Sequence, residues 1–160
     1  TPQVNTWADS WIDFWREQRL GFQLALAAQN GYGGALQRKG AQLMEVFPAL
    51  FEDQLAPSLL HGDLWGGNRA TDHNGNPVIF DPAVYYGDRE ADLAMTELFG
   101  GFEPAFYRAY AAVHPLAPNY PLRKAFYNLY HILNHLNLFG GGYGNRAEHM
   151  MEMLLNALRH

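Results

Sequence analysis

Apolar positions fall into helical periods at both ends of this chain and into short runs in its middle. Trp7, Trp11, Phe14 and Trp15 recur at i, i+4, i+7 and i+8, the spacing of one face of an amphipathic helix. Asn5-Thr6 ahead of Trp7-Ala8-Asp9 offers an N-cap with an acid in the first turn, so a first helix is expected from there to about Ala28. NGYGG at 30–34 breaks it, and a second helix is expected over 35–54, kinked near Pro48. The helical period returns from about Asp88, with segments expected near 89–99, 103–113, 121–138 and 146–158. Gly100-Gly101, 114–118 and 140–144 separate them.

The middle is different. Residues 58–60 form a short apolar run that ends at the polar stretch HGDLWGGN, 61–68. Residues 68–71 and 77–80 flank DHNGN, whose Asn-Gly turn chemistry predicts a small hairpin. No internal repeat is evident. The pattern predicts one domain over 1–160, mainly α with a small β-hairpin element (α+β).

Composition narrows the function. A chain of 160 residues can bury a real core. A net charge of −5 without a basic stripe argues against a nucleic-acid partner. The absence of cysteine removes disulfides and thiolate metal sites and fits a cytoplasmic setting. No run approaches the roughly 20 apolar residues of a membrane span, and the first residues carry no signal-peptide pattern. The chain opens TPQVNTW, without an initiator Met.

The polar groups of the middle segment are those of phosphoryl transfer. Asp63 and Asn68 are five positions apart in a glycine-rich loop, and Asp81 follows the apolar run Val78-Ile79-Phe80. A hairpin between them brings Asp81 back to face the loop. Two carboxylates and an amide oxygen are hard donors that suit Mg²⁺. With Asn68 and Asp81 as ligands, Asp63 is left to orient a hydroxyl and accept its proton. Spacing agrees: the kinase loop H-R-D-L-x-x-x-N is matched by His61, Asp63, Leu64 and Asn68. The plain alternative is a set of turn-forming Asp and Asn residues with no chemistry.

HGDLWGGN resembles the aminoglycoside and choline phosphotransferase-like kinases, which use H-G-D-x-x-x-x-N. Together with FDPAVYYGDREADLAM, LFGGF, NTW at 5–7 and YHILNHLNLFGGGY at 130–143, it resembles the fructosamine (ketosamine) kinase family. That resemblance implies the C-terminal lobe of a protein-kinase-like fold, with Asp63 as base and Asn68 and Asp81 on Mg²⁺. His61 and Asp92 take positions that support the catalytic loop, although Asp92 also suits a helix N-terminus as a plain dipole partner. Pro82-Ala83 replaces the Phe-Gly of protein kinases, so no activation-loop switch is implied. The implied reaction moves a phosphoryl group from ATP to a sugar hydroxyl of ketosamines, either small molecules or glycated protein side chains, as deglycation repair.

The rest of a kinase is not legible here. Lys39 and Lys124 both sit in helical polar contexts, and neither follows a V-A-I-K strand. The resemblance therefore implies a nucleotide lobe preceding Thr1, without which this chain is expected to be inactive. The alternatives are a phosphotransferase for another alcohol or an aminoglycoside, and a catalytically inactive binding lobe. Trp65 either stacks on the acceptor sugar or anchors the loop. His131 and His135 form H-x-x-x-H on a helix, but Ile132 stands where a metalloprotease has Glu. A polar helix face is their default reading, with His135 a candidate acceptor contact. The oligomeric state is not readable from the sequence.

Overall fold

The computed structural model describes residues 1–51 and 55–159; the end of the expected second helix, 52–54, lies outside them. Two compact units form, one from Thr1–Leu55 with Ala125–His160 and the other from Ala56–Lys124. The helices are α1 (Trp11–Phe14), α2 (Gly21–Gln29), α3 (Ala35–Val46), α4 (Glu90–Leu98), α5 (Pro104–Val113), α6 (Tyr120–Phe139) and α7 (Tyr143–Leu158). Four short strands, β1 (Ser58–Leu60), β2 (Arg69–Thr71), β3 (Pro77–Ile79) and β4 (Tyr85–Gly87), make two antiparallel pairs.

In the first unit α3 packs along α7, and Lys39 reaches Glu152 at 3.0 Å. Trp15, Phe47, Phe126, Leu129, Leu133 and Met151 are buried in its core. The aromatic period read at 7–15 is used there: the rings of Phe47 and Phe126 stack 4.9 Å apart, and Trp15 lies 4.9 Å from Tyr127. Trp11 Nε1 donates to the Tyr127 hydroxyl at 3.1 Å, so one indole contributes both apolar area and a satisfied polar group.

The first helix starts later than its pattern suggests. Ser10, not Asn5-Thr6, is the N-cap, its Oγ accepting from the Asp13 N–H at 3.2 Å. The cause lies further along the chain. Arg19, fully buried, donates to the Val4 carbonyl at 2.7 Å and to Asn5 Oδ1 at 2.6 Å, and its guanidinium lies 4.5 Å over the Phe14 ring. These bonds hold 4–5 outside any helix. Residues Trp15–Leu20 form a π-turn, and a Cβ at Gly21 would fall on the Arg16 carbonyl that this widening brings close. The second helix ends at Val46 and tightens into a 3-10 turn, Phe47–Phe51, at Pro48.

In the second unit the hairpin forms as β2–β3, with Ala70 opposite Val78. Asp72 Oδ1 accepts from the N–H groups of Asn74 and Asn76 at 2.8 Å each, which closes the turn. Strand β1 pairs with β4, Leu60 opposite Tyr85. Arg123, buried on α6, faces Glu90 at 3.5 Å and Asp88 at 3.9 Å, so three charges of this unit are removed from solvent together. Among the described residues no helix is long and apolar enough to cross a membrane.

Candidate active site

The polar loop at 61–68 is held by backbone and side-chain bonds to neighbours in its own unit. Strand β1 delivers His61 beside β4, and the Ala83 N–H donates to the His61 carbonyl at 2.8 Å. Gly62 turns the chain with φ +80, and a Cβ there would overlap the Ala83 carbonyl. The imidazole of His61 is buried, its Nε2 lying 2.9 Å from the Phe80 carbonyl and its Nδ1 3.3 Å from the Asp63 N–H. A carbonyl only accepts, so Nε2 carries the hydrogen and Nδ1 receives the Asp63 amide. The ring thus ties the loop to the segment that follows β3.

Asp92, in the first turn of α4, receives the loop's entrance. Oδ2 accepts from the His61 N–H at 2.7 Å and Oδ1 from the Gly62 N–H at 2.9 Å. Burial pushes its carboxyl above the ordinary range, against the pull of those two bonds and of His61; the nearby Asp63 adds to the rise.

Asn68 closes the loop on Asp63. Its amide nitrogen donates to the Asp63 carbonyl at 2.8 Å and to Asp63 Oδ2 at 2.9 Å. Both amide hydrogens are thereby engaged, and the acceptor oxygen Oδ1 is the group this side chain can offer a cation. The backbone of Asn68 accepts from the Phe80 N–H at 3.1 Å. Asp81 comes next, exposed and with φ 55, an uncommon conformation for any residue but glycine. Asp81 and Pro82 are therefore bracketed by bonds on both sides: Phe80 to Asn68 and His61, Ala83 to His61.

These donors fit a magnesium ion. An amide oxygen and a carboxylate are hard ligands, and Mg²⁺ takes one or two protein carboxylates and completes its shell with water and phosphate. Among the described residues no group of three or more His, Cys, Asp or Glu is placed to hold a metal.

The remaining sequence candidates divide. The indole of Trp65 meets Phe99 edge-on at 6.3 Å, and a Cβ on Gly67 would strike its ring, so it packs on its own loop while staying 38% exposed. His135 lies in the first unit, apart in the chain from the loop; its Nδ1 donates to the His131 carbonyl at 2.7 Å and its ring lies between Phe139 and Tyr143. Desolvation, then His135 and Arg19, hold the His131 ring down to about 3. Lys124 is engaged by Glu97 at 2.6 Å, which also accepts from the Tyr120 hydroxyl at 2.7 Å. Burial, reinforced by Glu97, raises the Tyr120 pKa. The sequence reading missed β4 and its tie to His61. The signal for it is the aromatic pair Tyr85-Tyr86, residue types that favour strands.

The family model for fructosamine kinase matches residues 1–157. A "Probable ketoamine kinase" of Synechocystis sp. is 54% identical over 97% of this chain and 52% of its own length. "Protein-ribulosamine 3-kinase, chloroplastic" of Arabidopsis thaliana is 48% identical over 99% of this chain and 49% of its own. A crystal structure of a "putative fructosamine-3-kinase" from Thermobifida fusca superposes with a TM-score of 0.86 at 34% identity, covering 98% of this chain and 55% of that one. The chain spans about half the length of the curated relatives it matches. It belongs to the fructosamine kinase family.

Proposed function

We propose that the full-length protein transfers a phosphoryl group from ATP to a sugar hydroxyl of ketosamines, fructosamines or ribulosamines, free or on glycated protein side chains. Phosphorylation destabilises the adduct and releases the amine, so the service is deglycation repair. This chain is the C-terminal, acceptor-side lobe. Asp63 orients the attacking hydroxyl and takes its proton. Asn68 Oδ1 and the Asp81 carboxylate would hold Mg²⁺, which when bound supplies neutralising charge to the transferring phosphates. His61 and Asp92 hold the loop in register. Such a transition state is loose, so the protein's contribution is positioning and charge.

One observation carries the reading. Asp63, Asn68 and Asp81 are fixed to one hydrogen-bonded framework, in which Asn68 spends both amide hydrogens on Asp63 and leaves its oxygen as a ligand. A set of plain turn residues has no need of this. The lobe assignment is supported by the relatives' doubled length and by apolar side chains exposed on and beside the strands, Leu59, Ile79, Phe80, Val84 and Tyr86 among them, which are suited to covering by more protein.

The test is phosphorus NMR of fructoselysine and a ribulosamine incubated with MgATP and the full-length protein or its Asp63→Asn variant. Phosphorylated sugar is expected from the wild type only. An active Asp63→Asn enzyme removes Asp63 from its role, and wild-type silence on both acceptors while an aminoglycoside or another alcohol is phosphorylated moves the protein to that alternative.

A further inference from the structure

The turn between α4 and α5 is built with more care than a connection needs. Gly100 and Gly101 both take positive φ, 103 and 76, reversing the chain within two residues. A directed chain of hydrogen bonds then latches it. The Phe102 N–H donates to the Tyr107 hydroxyl at 2.9 Å, and Thr96 Oγ1 donates to the Leu93 carbonyl at 2.6 Å. The threonine's one hydrogen is spent there, so the Tyr107 hydroxyl is the donor in its 3.0 Å bond to Thr96. Every hydroxyl in the relay is satisfied, and the turn is fixed to α4.

What the latch fixes is a pair of rings aimed at the stretch 65–69. Phe99 receives Trp65 at 6.3 Å and an interplanar angle of 75°. Phe102 lies under the guanidinium of Arg69 at 4.8 Å, and Arg69 also approaches Glu103 at 4.0 Å. Trp65 and Phe99 nonetheless remain 38% and 36% exposed. Two aromatic groups held at 75°, partly open to solvent, with Trp65 two residues from Asp63, form a corner rather than a plug.

We infer that Phe99, held by the latched turn, is an acceptor-specificity residue that with Trp65 takes the C–H face of the ketosamine's sugar chain. This rests on the phosphotransfer reading above. Sugar C–H groups are weakly apolar and pack on ring faces, while the hydroxyls stay available to polar partners such as Asp63. A preformed corner does this with little ordering cost, because the indole is already packed on Gly67 and Phe99.

The experiment is steady-state kinetics of the full-length protein with MgATP and a ketosamine, comparing wild type, Phe99→Ala, Phe99→Tyr and Tyr107→Phe. Phe99→Ala is expected to raise the acceptor KM about tenfold, as losing one aromatic contact does. The ATP KM and kcat should stay within about twofold, and Phe99→Tyr should restore the acceptor KM. Tyr107→Phe, which keeps the ring but removes the latch, should raise the acceptor KM by an intermediate factor. An unchanged acceptor KM in Phe99→Ala overturns the inference while leaving the kinase reading intact. A parallel rise in ATP KM, or equal loss in Phe99→Tyr, overturns it as well, because the residue is then only structural. No turnover by the wild type overturns both readings together.

Discussion

Gly62 offers the sharpest test of how the loop is built. At φ +80 an alanine pays the left-handed penalty of about 1–2 kcal/mol. Its Cβ would also overlap the Ala83 carbonyl, whose own residue donates the 2.8 Å bond to His61. Backbone cannot rotate aside as a side chain can, so that bond is expected to break, at about 0.5–1.5 kcal/mol. With residual strain, Gly62→Ala should cost about 2–4 kcal/mol. Gly66, four residues on in the same loop, is the internal control, since nothing lies within 4 Å of a Cβ there and its φ is not positive. Gly66→Ala should stay within about 0.5 kcal/mol of wild type, the usual range for an unconstrained exposed site. Urea unfolding of both variants reads the difference directly, and thermal melting should show a gap on the order of 10 °C. Equal stability of the two variants would refute the close approach of Gly62 to Ala83 and the framework drawn from it.

Two further outcomes follow from named groups. Asp92→Ala strips the acceptor from two backbone N–H groups, at about 1–3 kcal/mol each, partly offset by removing a carboxylate that burial already disfavours. A net loss of about 2–4 kcal/mol in urea unfolding is expected, and a loss below about 0.5 kcal/mol would show that the N–H groups find other partners. His131 is held to about 3 in the folded chain against about 6.5 unfolded, so the unfolded chain binds the extra proton between those values. Its contribution is therefore complete above about pH 6.5 and is lost as pH falls towards 3, at up to about 1.4 kcal/mol per unit. His131→Phe should flatten the stability curve over that window, and parallel curves for the two proteins between about pH 7.5 and 5 would contradict the assignment.

The sequence by itself determined most of the helices, the hairpin and which residues are candidates for the chemistry. Periodicity placed the helices ending at Leu98, Val113, Phe139 and Leu158 to within a residue or two at their C-termini, because each ends at a Gly, Pro or polar break that acts locally. The hairpin was legible for the same reason: Asp72 and the Asn-Gly turn bond within five residues. Spacing alone marked Asp63, Asn68 and Asp81, since the residue types a hard cation needs do not depend on the path between them.

Tertiary structure decided whatever depends on partners distant in sequence. Ser10 rather than Thr6 caps the first helix because Arg19 claims Val4 and Asn5. Strand β4 exists because Leu60 and Tyr85 pair across 24 intervening positions, a register that two three-residue runs cannot announce. Asp92 marks a helix start in the sequence, but only the fold brings His61 and Gly62 to its carboxylate. The same holds for Trp65, for which the sequence offers sugar stacking or loop anchoring, and only the fold brings Phe99 to its indole. Local bonds are written in local sequence. A hydrogen bond or contact that closes a long loop is chosen by the packing that brings its ends together.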